Sequence, residues 1–125
     1  SALVAVSGTP VAFNDVWKFT TVWEQVVMQN SAPRQREGHT AVATEAGFIV
    51  FGGIDATGYD GTPGSIVTYK DVWTADLSST AWTLQSSDAP AISASCFHSA
   101  VVVGDVMLVF GGLVVSDMSA SAEMW

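Results

Sequence analysis

The sequence predicts an all-β fold, built as an array in which a set of four strand types repeats. Three observations predict it. Gly38-His39-Thr40-Ala41-Val42, running on to Ile49-Val50-Phe51-Gly52-Gly53, returns 59 residues later. The second copy is Phe97-His98-Ser99-Ala100-Val101 running on to Leu108-Val109-Phe110-Gly111-Gly112, with the same spacing between His and Phe. Self-similarity at a period of about 50 residues marks a repeat array. Short β-branched and aromatic runs, bounded by Gly, Pro, Ser and Asp, follow one another as strands do, and no stretch sustains a helical period. Cys96 is the single cysteine, so an internal disulfide is excluded and packing alone must hold the fold.

Four strand types recur in order. The first is Gly38–Ala43 and Phe97–Val103. The second is Gly47–Phe51 and Asp105–Phe110, each ending in Gly-Gly at Gly52-Gly53 and Gly111-Gly112. The third is Asn14–Thr20 and Asp71–Asp76, built on Asp15-Val16-Trp17 and Asp71-Val72-Trp73. The fourth is Trp23–Met28 and Trp82–Gln85, followed by a polar loop with a proline, Gln29–Pro33 or Ser86–Pro90. Ala2–Val6 followed by Ser7-Gly8 reads as a worn second-type strand, and Ala122–Trp125 as the start of a third-type strand. The expected division is 1–32 (strands two to four), 33–89 (a complete unit) and 90–125 (strands one to three). The longest connection, Ile54–Lys70, holds Gly58, Gly61, Pro63 and Gly64 and reads as an extended loop with a small hairpin at Ser65–Tyr69. Insertions at one place in a repeat map to one face of the array, often the binding face.

Composition bounds the partner. The chain has 125 residues, 49% hydrophobic and only 13% charged, with a net charge of −8. Its four basic residues are Lys18, Arg34, Arg36 and Lys70. A phosphate backbone or an anionic membrane surface needs a basic face, so nucleic-acid binding is not expected. No apolar run approaches the roughly 18–20 residues of a membrane helix, so membrane insertion is not expected either. Ser1–Val6 is apolar but lacks the basic start and long core of a signal peptide, and the chain lacks an initiator Met. It reads as a mature product or a piece of a longer one.

Pro33-Arg34-x-Arg36-x-Gly38-His39, then Gly52-Gly53, then Asp71-Val72-Trp73-x-x-Asp76, then Trp82 resembles the kelch-repeat family over nearly the whole chain. The resemblance implies a partial kelch-type β-propeller whose blades are four-stranded antiparallel sheets packed face to face. Faces buried on both sides accommodate apolar runs such as Val106–Phe110 without strict alternation. Gly-Gly permits positive φ and close backbone approach. Trp17, Trp73 and Trp82 are expected between blades, each indole N–H meeting a backbone carbonyl. The sequence departs from the pattern at Ser7, at Ala75 where an aromatic is usual, and at Ala91–Phe97, which lacks the Arg pair. Closed propellers use about four to eight blades, and this chain supplies about two and a half. The remaining blades are therefore expected in a longer protein, with a homo-oligomer formed by blade complementation as the second arrangement.

Few residues invite chemistry. His39, His98 and Cys96 suggest a metal, yet two adjacent ligands are too few, and the plainer reading is structural histidines near the blade core. Cys96 and His98, two apart on a strand, are expected to share a face. Asp55 and Asp60-Gly61 do not match a calcium loop and read as solvated turns. No nucleophile elbow appears. Galactose-oxidase-like enzymes carry a copper radical site on a kelch propeller, but Tyr59 and Tyr69 beside one loop and Cys96 in another repeat do not reproduce their ligands. No metal and no cofactor are expected. Arg36 looks similar in place to an arginine that lines the channel mouth of some kelch domains and contacts acidic peptides; its alternative is a structural ion pair with a nearby Asp or Glu. Arg34, Asp55, Tyr59 and Asp60 are the other candidate contacts, within an expected surface that includes loops 54–70 and 7–13. The expected function is a non-enzymatic protein-binding or assembly module in a larger propeller protein. The alternatives are part of an enzyme whose active site lies elsewhere, or a structural subunit of a large extracellular or ciliary assembly.

Overall fold

In a computed structural model of the chain, residues 12–88, 92, 96–115, 119–120 and 124 are described. The expected worn strand at 2–6 and the Ser7-Gly8 step lie outside them, as do most of loop 7–13 and residues 89–91.

The strands are β1 (Val16–Phe19), β2 (Trp23–Val26), β3 (Thr40–Ala43), β4 (Gly47–Phe51), β5 (Ile54–Asp55), β6 (Val67–Thr68), β7 (Val72–Asp76), β8 (Ala81–Ser86), β9 (Ser99–Val103), β10 (Val106–Phe110), β11 (Leu113–Val114) and β12 (Ser119–Ala120). All named pairings are antiparallel, and β3-β4-β7-β8 form one four-stranded sheet, the complete blade. The pair β1-β2 supplies the third and fourth strands of the blade before it. The pair β9-β10 supplies the first and second strands of the blade after it. A bridge joins Phe110 to Met124, as Phe51 joins Val72 in the complete blade. Met124 therefore pairs where a third strand would run, while the rest of the expected strand, 122, 123 and 125, lies outside the described residues.

Apolar residues set these pairings. Val50 on β4, Ala75 on β7 and Trp82 on β8 are buried together, with Val16, Met28, Phe48 and Trp73 packed against them. Phe48 and Trp73 both meet the Trp82 ring edge-on, at centroid distances of 5.5 and 6.5 Å, an arrangement aromatic quadrupoles favour. Ile54, Cys96 and Val115 form a second cluster that joins successive repeats.

The Gly-Gly steps behave as the repeat demands. Gly52 and Gly53 have φ of 65° and 98°, and Gly111 and Gly112 have 71° and 107°. A Cβ on Gly53 would stand 2.8 Å from the Glu37 carbonyl oxygen. That close approach lets Glu37 and Ile54 exchange two 2.9 Å backbone hydrogen bonds.

Two expectations differ in detail. The small hairpin expected within Ser65–Tyr69 is not local: β6 pairs back onto β5, so both ends of the long loop form one short ribbon. Its far end carries a single 3-10 turn at Pro63–Ser65. The indoles of Trp17 and Trp73 donate to the carboxylates of Asp15 and Asp71, two residues back, rather than to a backbone carbonyl. A carboxylate accepts more strongly than a neutral carbonyl, so each Asp-x-Trp triplet carries its own acceptor.

Candidate functional site

Strand direction gives the molecule two ends. At one end lie the tight hairpin turns β3–β4, β7–β8 and β9–β10. At the other lie the approach to β3, the Gly-Gly steps, the long loop 54–70 and the start of β7. Most sequence-predicted contact residues come together at this loop end.

Arg36 is its hub, and it is buried, with 6% of its surface exposed. Its Nη1 and Nη2 donate to Asp71 Oδ1 and Oδ2 at 2.6 and 2.9 Å. Nη1 also donates to the Gly52 carbonyl at 2.9 Å, and Nε to the Arg34 carbonyl at 3.1 Å. The guanidinium carbon stands 4.3 Å from the centre of the Tyr69 ring. The planar fork thus ties the approach to β3, the end of β4 and the start of β7 to one another. Burial alone would raise the Asp71 pKa, but the hydrogen bonds from Arg36 and Trp73 and the charge of Arg36 outweigh it and hold the carboxyl below its ordinary value. Four of the five guanidinium donors are already engaged within the chain. The ion-pair alternative describes this geometry, and Arg36 has little left to offer a partner directly.

Above this base the long loop is exposed. Asp55 Oδ1 accepts from the Thr57 amide at 2.9 Å, and Asp55 Oδ2 from Gln35 Nε2 at 3.1 Å. Asp60 accepts from the Thr62 amide at 3.0 Å and from its hydroxyl at 2.6 Å. These bonds hold both carboxyls below the ordinary Asp value, those from Thr57 and Thr62 being the largest cause in each case. Tyr59 is 51% exposed between them, and Arg34 is exposed beside Gln35. Asp55, Tyr59, Asp60 and Arg34 therefore share one end of the strands, over a base that Arg36 locks.

The two histidines separate. His98, 6% exposed, lies on the seam between blades, with Nε2 2.8 Å from Thr40 Oγ1 and its ring 5.0 Å from that of Phe51. His39, its repeat equivalent, is exposed and lines a cavity of about 340 Å³ beside β1. Cys96 packs with Ile54 and Val115 instead. The expected shared face fails because Phe97, between Cys96 and His98, has φ of 55° and breaks the two-residue alternation of a strand. Among the described residues no three His, Cys, Asp or Glu side chains are grouped to hold a metal ion. No helix among them is long and apolar enough to cross a membrane.

Sequence reasoning missed the role of Phe97. It stands where the preceding repeat has Gly38, and both adopt left-handed backbone, φ 55° and 63°. Phe97 is 65% exposed, and its amide donates to the Gly38 carbonyl at 2.7 Å. The signal was present in the alignment of the repeats: a glycine position filled by an aromatic.

Comparison with known proteins agrees with this architecture. The KLHDC2/KLHL20/DRC7 Kelch-repeats domain family matches residues 7–125. Host cell factor homolog hcf-1 of Caenorhabditis elegans is 31% identical over 110 residues, covering 82% of this chain and 13% of that protein. Host cell factor 1 of Homo sapiens is 27% identical over 110 residues, covering 81% of this chain and 5% of that protein. The chain thus spans a small part of the length of these relatives. A chain in the cryo-EM structure of RAG in complex with one melted RSS and one unmelted RSS superposes with a TM-score of 0.61. It is 19% identical, covering 88% of this chain and 36% of that one, a likeness of fold alone. With a family match over 7–125 and the blade geometry above, the chain belongs to the kelch-repeat family.

Proposed function

We propose that this chain is a non-enzymatic protein-binding or assembly segment of a larger kelch propeller protein, divided into blades at 1–32, 33–89 and 90–125. Kelch membership and the host cell factor relatives point to a protein-interaction module. The contact surface in this reading is the loop end, with Arg34, Asp55, Tyr59 and Asp60 facing the partner and Arg36 holding the base beneath them.

One observation carries it. An exposed loop with a central tyrosine stands on a buried, fully built Arg36–Asp71 fork. Loops on rigid scaffolds are where binding residues concentrate, and tyrosine supplies contact area with few torsions to freeze. The uncovered blade faces also fit further blades. Trp17, Phe19 and Trp23 of β1-β2 are exposed, as are Val101, Val103 and Val106 of β9-β10.

The test uses the intact protein from its source. Tyr59→Ser with Asp60→Asn is expected to weaken capture of a protein partner about five- to tenfold while the melting temperature stays put. Retention of every partner by that variant would contradict the reading. So would substrate turnover by the purified protein that is lost on mutating these residues.

A further inference from the structure

The turns Thr44–Ala46 and Gly104–Asp105 belong to successive repeats and lie side by side, because β3 packs along β9. A groove of about 890 Å³ opens between them. Ile49, Val102 and Met107, all half-buried, form its floor, and Glu45 and Asp105, both exposed, stand on its rim.

Two features set this groove apart from the rest of the exposed apolar surface. Its walls are turns of adjacent blades, so it lies between them and not on the exposed faces of β1-β2 or β9-β10. Its charge is also unanswered. Among the described residues the ion pairs join Lys18 to Glu24 and Arg36 to Asp71, and neither reaches Glu45 or Asp105. Arg34, Arg36 and Lys70 lie at the opposite, loop end of the strands, and the sequence holds no Lys or Arg after residue 70. Among the described residues no cation answers this rim.

We propose that the groove docks a short basic peptide segment of a partner protein, with an apolar side chain on the Ile49–Met107 floor and Lys or Arg beside Glu45 and Asp105. The inference rests on the protein-binding reading but uses the opposite end of the strands, so loss of either surface leaves the other measurable. Both recognition elements are needed, since acid on the rim selects cations and the floor selects an apolar side chain between them. Affinity for an isolated short peptide is low, because each exposed ion pair changes binding by about fivefold at most.

The experiment titrates the intact protein, labelled at backbone amides and Met methyls, with three capped peptides: Lys-Leu-Leu-Lys, Glu-Leu-Leu-Glu and Lys-Ser-Ser-Lys. The expected result is saturable shifts at Met107, Glu45 and Asp105 with the first peptide only, weakened by added salt. Glu45→Gln with Asp105→Asn, isosteric and at exposed turns, is expected to weaken that binding roughly tenfold with the amide spectrum otherwise preserved. Equal response to all three peptides, shifts confined to other surfaces, or undiminished binding by the double variant would each overturn the proposal.

Discussion

Arg36 and Gly53 show how much hangs on single side chains here. The Arg36 side chain is 3% exposed and that of Asp71 15%. Removing one partner leaves a buried charge unanswered, so Arg36→Ala is expected to cost about 3–5 kcal/mol in a denaturant titration. Arg36→Lys is expected to recover only part of that, because an ammonium cannot fork onto both carboxylate oxygens. Gly53→Ala places a methyl 2.8 Å from the Glu37 oxygen at φ of 98°, and its expected cost is about 1–3 kcal/mol by the same measurement. The sequence offered an ion pair for Arg36 but not its partner, since Asp71 lies 35 residues on, beyond a loop of unpredictable path. The glycine pair was legible because it recurs at a fixed place, and recurrence of a residue with no side chain points to the backbone. Phe97 was not legible as a left-handed residue, because its type disfavours that conformation and only its alignment with Gly38 betrays it.

At the scale of elements, the seam between β3–β4 and β9–β10 turns on His98. Burial, the largest cause, and the charge of His39 hold its pKa below the ordinary value of 6.5, while the Phe51 backbone beside the ring pulls the other way. Nδ1 makes no well-formed hydrogen bond, so a proton there is poorly received. The facing groups are Thr40 and His39 at the start of β3 and Phe51 on β4. A folded pKa lowered from 6.5 means the unfolded chain binds the proton first. Stability is therefore expected to fall as pH drops below about 6.5 and to level off below the folded value. His98→Gln is expected to flatten that dependence between pH 7 and 5, as read from urea midpoints; an unchanged slope would remove His98 from the seam. Asp71 acts in a separate window. Its folded pKa is depressed, so its contribution is present above the ordinary 3.8 and is lost as pH falls through the folded value. Strand order and type were legible from the repeat, whereas the β5-β6 ribbon was not, because two-residue strands leave no periodicity to read.

For the whole molecule, the surfaces divide by what could cover them. The faces of β1-β2 and β9-β10 present Trp23, 68% exposed, and a row of valines, the kind of surface that successive blades bury in a repeat array. The loop end and the hairpin groove lie at the strand ends, off the exposed faces of β1-β2 and β9-β10, which is why both binding proposals sit there. The repeat array was legible from motif spacing and its kelch identity from resemblance of those motifs to the family, because each motif answers a backbone or packing demand that every blade shares. The proposed contact surface carries no such recurring signal, since loops answer no demand that every blade shares. The central claim is that this chain is a segment of a larger propeller protein, and the mass of the native particle from its source, by native mass spectrometry, tests it most directly. The account predicts a particle of polypeptides longer than this 13.1 kDa chain, with further blades. A lone 13.1 kDa chain, or a ring of identical 13.1 kDa chains, would contradict it.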